Sequence, residues 1–542
     1  VTGRARDDGG LLVLAPLRVE ASALRRSGGA RRVVVTGMGP HAAQAFRAPD
    51  GTADGPVAVA GFCGSLRDGV EPGSVVVASE VRGPTGLVSL PSAAAVSHSL
   101  RRAGLTVHVG PIISTDHVVR GPERTELARD GALAVDMESF WLVSGVQARH
   151  GAADQGAAEA TVAAGGRPEG VPGADGHRTA VVRIVSDSPG SGFRPAGLVA
   201  SGLKGLKGLT RIGGCLEDWA AAVGPRTVLI AAPRSFCAGV CRAIDITEQA
   251  LAESAPPLYV RREIVHNKHV VDSFRDRGVV FVRELSEVPP GRTVILAAHG
   301  VSPAVRADAR VRGLRIIDAT CPLVARLHKR ARMLVDQGHL VVFIGKKGHD
   351  ETEGVVGEAP DRIVVVEDQG DIDRLAGEDP HALGPHPPTD APIATLTQTT
   401  LVPHEVEALV AGLRERFPHL TVPQTTAQAT DVCYASRNRQ AAVRRVAPGC
   451  DWFLVIGSAN SSNSKRLMEE AERMGTPAAL VDDESDIDLA RLAGVRTLGL
   501  TAGASAPEVL IERMLAFLGS LGPLEVRELR TGADEPNFPA AV

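Results

Sequence analysis

Four near-continuous apolar runs in the second half of the chain limit its fold most: Val228-Leu229-Ile230-Ala231-Ala232, Val294-Ile295-Leu296-Ala297-Ala298, Val341-Val342-Phe343-Ile344-Gly345 and Phe453-Leu454-Val455-Ile456-Gly457. Such runs read as parallel strands buried on both faces. Each leads into a polar loop and then a helical pattern, with loops at residues 233–240, 299–302, 346–351 and 458–464. In open α/β sheets, loops of this kind line the crevice beyond the carboxyl ends of the strands, where ligands sit. Asp318-Ala319-Thr320-Cys321-Pro322 repeats the pattern after a strand signal at 314–317, and Cys237 and Cys433 also lie in polar loops beside helical runs. Three thiolates from three distant loops can grip one ion or cluster, with the chain folded around it.

At 542 residues the chain exceeds one ordinary core, so two or more α/β domains of about 200 to 300 residues each are expected. A formal charge of −4 with mixed signs leaves no basic stripe, which argues against a nucleic-acid partner. No apolar run reaches about 18 residues, so no membrane span is expected. The run at 11–17 is also short for a signal peptide, and a soluble, cytoplasmic protein is expected. Val1 is not an initiator Met, which leaves open where the natural chain begins. The seven cysteines (Cys63, Cys215, Cys237, Cys241, Cys321, Cys433 and Cys450) are odd in number and scattered. In a reducing compartment this favours metal-binding, catalytic or buried thiols over disulfides.

The first third alternates strand signals with glycine-rich turns. Leu11-Leu12-Val13-Leu14 precedes Glu20 and a helical run, Val33-Val34-Val35 runs into Thr36-Gly37-Met38-Gly39, and Val57-Ala58-Val59-Ala60 into Gly61-Phe62-Cys63-Gly64-Ser65. Glycine after a strand lets backbone amides approach a phosphate or sugar, although a plain tight turn explains the same residues. Val135-Asp136-Met137-Glu138-Ser139 and Val182-Arg183-Ile184-Val185-Ser186-Asp187 resemble the paired signatures of the nucleoside phosphorylase and nucleosidase superfamily, over about residues 10 to 200. The resemblance implies that Met137 and Glu138 hold a ribose and that Asp187 acts on purine N7. Cleaving an N-glycosidic bond needs a neutralised leaving base and a sugar held by polar contacts. Phe62, Cys63 and Ser65 depart from the small residues usual there, which leaves the substrate open. The structural alternative makes Glu138 an exposed helix residue and Asp187 a helix cap. Residues 147–178 read as a flexible insertion, and 201–214, with its repeated Gly-Leu-Lys, as a second weak region. The domains are therefore placed at 1–223 and 226–522, with a tail at 523–542.

The later loops carry the motifs PRSFCAGVCRAI, EIVHNKHVVD, AHGVSP, DATCPLV, GHDETEG, TQTT, DVCYASRNRQ, GSANSSNSKRL and TAGASAPE. Together, over about residues 226 to 520, they resemble the 4-hydroxy-3-methylbut-2-enyl diphosphate reductases, which close the methylerythritol phosphate route to isoprenoids. The implied fold is a phosphorylase-like α/β domain followed by three α/β units converging on a central iron–sulfur site. The resemblance implies that Cys237, Cys321 and Cys433 hold a [4Fe-4S] cluster by three irons, leaving the fourth for an allylic diphosphate. It assigns His266, His299, His349, Ser461, Ser462, Asn463 and Ser505 to the diphosphate, Glu351 to proton donation and Thr399 to orienting the substrate hydroxyl or a water. It also implies ferredoxin or flavodoxin as electron donor. Cys241 departs from the family, as does Asp350, which stands where a proline is common. Cys241, four residues after Cys237, is read as a packed bystander or as a modulator or occasional ligand of the site. His269, His328 and His339 match no motif position and are read as surface or core. A structural zinc on Cys237, Cys241, Cys321 and Cys433 is the competing reading, although zinc modules usually bring ligands in close pairs.

Overall fold

Valine, isoleucine and leucine in short runs fit strands covered on both faces, and the computed structural model of the chain forms strands at each of the runs named above. It describes residues 10–26, 32–47, 55–148, 174–189, 195–253, 256–377, 392–418, 420–421, 431–531 and 538. Two units are distinguished. One is Val1–Thr227 with Ile487–Arg496 and Met514–Glu525, and the other is Val228–Asp486 with Thr497–Arg513 and Val526–Val542.

The first unit is built on eight strands: β1 (Leu12–Ala15), β2 (Arg32–Val35), β3 (Val57–Ser65), β4 (Val75–Gly83), β5 (Gly86–Ser89), β6 (Val107–Ser114), β7 (Ala134–Asp136) and β8 (Thr179–Asp187). Their order is β2-β1-β3-β7-β6-β4-β5, with β8 beside β3 and β4. β3 and β8 run parallel from Val57 with Thr179 to Gly64 with Asp187, with a register shift after Cys63. β7 pairs antiparallel with the end of β3, placing Val135 opposite Gly64. One end of the sheet therefore gathers Cys63, Gly64, Asp136 and Asp187. Below them lies a fully buried cation. Arg183 is 0% exposed, with Nη2 2.8 Å from Asp136 and 3.0 Å from Glu138 and also donating to Ser139 Oγ. Replacing it by Met strands buried carboxylates, so Arg183→Met is expected to lower stability by about 3–5 kcal/mol. Denaturant unfolding would show this as a lower midpoint, and an unchanged midpoint would contradict the pairing.

Two expectations change here. Residues 201–214 are not a weak region but lie inside one helix, Pro195–Ala222. Leu209, Ile212, Leu216 and Trp219 give it a buried stripe. Its glycines permit close approach: a Cβ on Gly205 would stand 2.5 Å from the Phe62 ring, and one on Gly208 2.7 Å from Ile184. Glu138 is buried rather than exposed, so the surface-helix alternative for it falls. Of the insertion read at 147–178, residues 149–173 lie outside the described residues.

The second unit holds three sheets. Its strands are β9 (Arg226–Ala232), β10 (Leu258–Arg261), β11 (Val279–Val282), β12 (Thr293–Leu296), β13 (Arg315–Asp318), β14 (Leu340–Ile344), β15 (Ile363–Val366), β16 (Ile393–Thr397), β17 (Leu420–Thr421), β18 (Trp452–Ile456), β19 (Ala478–Val481), β20 (Thr497–Ala502) and β21 (Leu524–Arg530). They form the sheets β11-β10-β12-β13, β15-β14-β16-β17 and β19-β18-β20-β9-β21. Every pairing in the first two sheets is parallel, as are those of β18 with β19 and β20. Parallel strands all end at the same edge, so each sheet offers one set of loops at its carboxyl side. The stretch read as a tail at 523–542 opens with β21, an edge strand whose exposed charges, such as Glu528 paired with Arg234, suit a sheet border. Among the described residues no helix is long and apolar enough to cross a membrane.

Candidate active site

Loops from all three sheets of the second unit meet around a cavity of about 120 Å³. Its wall includes every reductase-type residue named from the sequence: Cys237, Cys321, Cys433, His266, His299, His349, Glu351, Thr399, Ser461, Ser462, Asn463 and Ser505. Thr400 and Phe538 also line it. Cys241 does not. It is exposed on the helix Ala238–Glu253 and is neither packed nor on the wall.

The cysteines are set by their backbones. Cys237 N donates to Ala504 O, Cys321 N to Ala298 O and Cys433 N to Thr399 O, so each thiol loop is tied to a carbonyl at or next to another wall residue. Each thiol also stands at a helix start. Cys321 and Cys433 cap the helices Pro322–Asp336 and Tyr434–Val446, and Cys237 directly precedes Ala238–Glu253. The positive helix ends favour anionic sulfur. Burial pushes the Cys321 thiol up to about 12, and the neighbouring Cys237 and Cys433 sulfurs add to the rise; burial likewise raises Cys433. These thiols become good ligands when a metal centre displaces their protons. Gly239 leaves them room: a Cβ there would stand 2.6 Å from Cys321 Sγ and 3.9 Å from Cys237 Sγ. Among the described residues, only His266, His299 and Asp350 bring three ligand atoms within 4.8 Å of one another. At least one pair of the three sulfurs is thus more than 4.8 Å apart, wider than the about 3.8 Å between sulfurs on one tetrahedral zinc. A wider polynuclear cluster fits them better.

His266, His299 and Asp350 do not make a good ion site either. The two imidazoles stack at 4.0 Å with an interplanar angle of 11°. One ion cannot lie in both parallel ring planes, whereas two oxygens of an anion can each meet one ring. Asp350 is already held by Arg262, which also donates to Glu353 at 2.6 Å. That pair anchors Asp350 next to Glu351. The Nε2 atoms of His266 and His299, and both side-chain polar atoms of Asn463, are buried without a hydrogen-bond partner among the described residues. Unsatisfied polar atoms clustered on one wall mark where a polar ligand group belongs. His349 sits 5.6 Å from His266, and its Nδ1 accepts from Glu351 N at 3.2 Å, which puts the ring proton on Nε2. Burial, reinforced by the neighbouring imidazoles, holds His299 well below the usual histidine range and His349 at about 4; His349 is thus a neutral donor at Nε2, while the neutral His299 ring meets the Glu263 backbone through its other nitrogen. Ser461 caps the helix Ser462–Arg473, whose N-terminus faces the cavity, and Ser505 Oγ donates to His266 O at 2.8 Å.

Glu351 lies 3% exposed in the helix Asp350–Val356. Its carboxylate accepts from Thr399 N and from Thr399 Oγ1, each at 2.8 Å. Burial pushes its pKa up, while the two Thr399 hydrogen bonds and the nearby His328 pull it down; burial wins. His328 is a core residue whose Nδ1 meets Glu358 at 2.6 Å. Three contributors carried no role in the sequence reading: Thr400, whose hydroxyl donates to Ser462 Oγ, and Glu263 and Asn460, joined at 2.7 Å. All three stand inside quoted motifs, Glu263 in EIVHNKHVVD, Thr400 in TQTT and Asn460 in GSANSSNSKRL, which was the available signal.

In the first unit a separate cavity of about 670 Å³ is lined by Met137, Glu138 and Asp187, together with Glu20, Phe62, Cys63 and Arg124. Burial raises Glu138 to about 7, opposed by Arg183. Asp187 accepts from Arg124 and from Ser186 Oγ. Both Glu20 oxygens are taken by backbone amides, those of Leu17 and Phe62. Glu20, Arg124 and Arg183 also carried no role in the sequence reading, because their partners are remote in the chain.

Comparison with known proteins agrees with both units. A family model described as LytB protein matches residues 228–519, and one described as Phosphorylase superfamily matches residues 21–144. A 4-hydroxy-3-methylbut-2-enyl diphosphate reductase from Azoarcus sp. (strain BH72) is 49% identical over 312 residues, covering 58% of this chain and 96% of that protein. The protein of the same name from Aromatoleum aromaticum is 48% identical over 314 residues, covering 58% and 96%. The solved structure of the E-1-hydroxy-2-methyl-but-2-enyl-4-diphosphate reductase from Plasmodium falciparum matches with a TM-score of 0.53 and 33% identity, covering 58% of this chain and 95% of that one. With more than half of its length matched by that model and a near-complete relative at this identity, the chain belongs to the LytB family, that of the 4-hydroxy-3-methylbut-2-enyl diphosphate reductases.

Proposed function

We propose that the second unit reduces 4-hydroxy-3-methylbut-2-enyl diphosphate to isopentenyl and dimethylallyl diphosphate, with Cys237, Cys321 and Cys433 holding a [4Fe-4S] cluster. The LytB family is iron–sulfur dependent. The observation that carries the reading is the three half-buried thiols at three helix starts, facing unpartnered imidazole and amide atoms across one cavity. Bound there, a [4Fe-4S] cluster supplies electrons and Lewis acidity for breaking the allylic C–O bond. The protein's part is to bind, orient and protonate. His266, His299, His349, Ser461, Ser462, Asn463 and Ser505 hold the diphosphate with neutral and charge-assisted donors. Thr399 Oγ1 orients the substrate hydroxyl, and Glu351, whose acid form burial favours, donates the proton that lets it leave as water. A ferredoxin or flavodoxin delivers the electrons, and the enzyme is cytoplasmic. The test is anaerobic turnover of the allylic diphosphate with a strong reductant; absence of both products from iron-loaded protein would overturn the reading.

Gly239 gives a sharper check. Its helical position tolerates alanine, which gains about 0.5–1 kcal/mol of helix preference. The added Cβ would meet Cys321 Sγ, so Gly239→Ala is expected to keep thermal stability and lose iron. Full iron content in that variant would contradict the placement.

For the first unit the supported reading is a nucleoside-cleaving site, with Met137 and Glu138 at the ribose and Asp187 at the purine. Its support is that all three residues line one cavity. Asp187→Asn is expected to abolish release of base from a nucleoside, with or without phosphate, and to leave diphosphate reduction at the parent rate. Unchanged base release would remove Asp187 from the role. No release from the parent chain would favour a non-catalytic ligand site.

A further inference from the structure

We propose that Glu263 is a positioning residue for the diphosphate: its carboxylate fixes one proton of His266 on Nδ1, so that the ring meets the diphosphate as an imidazolium, and with Asn460 it ties the His266 loop to the serine loop. The inference rests on the reading of His266 as a diphosphate donor. Glu263 Oε2 lies 3.2 Å from His266 Nδ1 and accepts from Asn460 Nδ2 at 2.7 Å. Asn460 directly precedes Ser461, Ser462 and Asn463, so one carboxylate oxygen joins the loop after β10 to the loop after β18. Lys268 N, donating to Ser458 Oγ at 3.0 Å, makes a second tie between the same loops.

A carboxylate only accepts, so the hydrogen of this contact belongs to Nδ1. A neutral ring would then turn a lone pair at Nε2 toward the cavity, where Nε2 is buried and unpartnered. Phosphate oxygens repel a lone pair. They are satisfied only when Nε2 also carries a proton, which leaves a cation between the Glu263 carboxylate and the diphosphate. His299 and His349 are unsuited to that role. Burial keeps both neutral, and Nδ1 of His349 is occupied by the Glu351 amide. The other charged groups around the trio are Asp350, Arg262, which pairs with Asp350, and Lys346 beside His349. Glu263 itself is held below the usual carboxylate range, by the His266 contact first, against burial and with help from Asn460. The arrangement parallels the carboxylates that orient histidines at metal sites, where the partner on one ring nitrogen decides what the other can do.

The test is calorimetric titration of inorganic pyrophosphate into the anaerobically isolated full chain, in two buffers of different ionisation enthalpy. This yields both affinity and protons taken up. The parent is expected to take up more protons on binding than Glu263→Gln, which keeps the size and the tie to Asn460 but loses the charge. Its affinity should fall about tenfold, the scale of one charge-assisted hydrogen bond. Glu263→Asp should recover part of the uptake, and Asn460→Ala should weaken binding while keeping it. Parent affinity in Glu263→Gln, or weaker binding with unchanged uptake, would overturn the proposal, the latter by leaving Glu263 a merely structural tie. His266→Ala separates the two levels. If it binds pyrophosphate like the parent, the donor reading of His266 itself fails. If it binds weakly while Glu263→Gln does not, only the Glu263 inference fails.

Discussion

Cys321→Ser is expected to purify as a folded chain with little or no cluster, and its reductase turnover should fall to that of a cluster-free sample. Thiolate ligation sets cluster binding, and a serine alkoxide is a poor substitute. The fold should persist because the Cys321 loop is held by its backbone, through Cys321 N to Ala298 O, and not by its sulfur. Cys237→Ser and Cys433→Ser should behave alike, their loops being tied through Ala504 and Thr399. Cys241→Ser should retain both iron and activity, since that thiol is exposed and off the wall. Iron analysis after anaerobic purification checks all four. Full iron content in Cys321→Ser would remove it from the ligand set.

Glu351→Gln should assemble the cluster and bind the diphosphate, yet turn over about 10²-fold or more slowly, the usual scale for losing a general acid. Glutamine keeps one oxygen to accept from Thr399 N, and its amide nitrogen can donate to Thr399 Oγ1 where the second carboxylate oxygen accepted, so the geometry around the acid should survive. The loss belongs in kcat with KM near the parent value, because the interaction matters only as the hydroxyl leaves. The pH profile adds a sign. Burial raises the Glu351 pKa, so the acid form persists to higher pH than for an ordinary glutamate. Parent kcat should fall as pH rises through that titration, and the glutamine variant should lack that limb. A variant turning over at the parent rate would mean that the proton comes from elsewhere.

Much of this site could be read from the chain because its residues sit next to strong punctuation. Cys321, His299, His349 and Ser461 each follow a run of Val, Ile and Leu that allows little but a buried strand, and parallel strands deliver their loops to one edge. What the sequence hid are pairings across distance. Glu263 and Asn460 are far apart in the chain and meet only when the loops after β10 and β18 converge. Arg183 is one residue in an apolar strand, and nothing local indicates that Asp136 and Glu138 surround it. The helix over 201–214 was obscured for another reason. Glycine lowers local helix preference, and only the packed structure reveals that Gly205 and Gly208 are needed where the helix crosses Phe62 and Ile184. Cys241 shows the converse error: helical spacing from Cys237 suggested a shared side, but Cys237 precedes the helix, and Cys241 is turned to solvent.

On the proposed function, Cys237, Cys321 and Cys433 of this chain hold one iron–sulfur cluster that serves the reduction. Iron, acid-labile sulfide and zinc analysis of the anaerobically isolated protein, with Mössbauer spectra recorded before and after addition of the allylic diphosphate, tests it most directly. About four irons and four sulfides per chain are expected, with one iron whose signal changes when the substrate is added. Colourless protein carrying stoichiometric zinc, or a cluster whose irons all ignore the substrate, would contradict it.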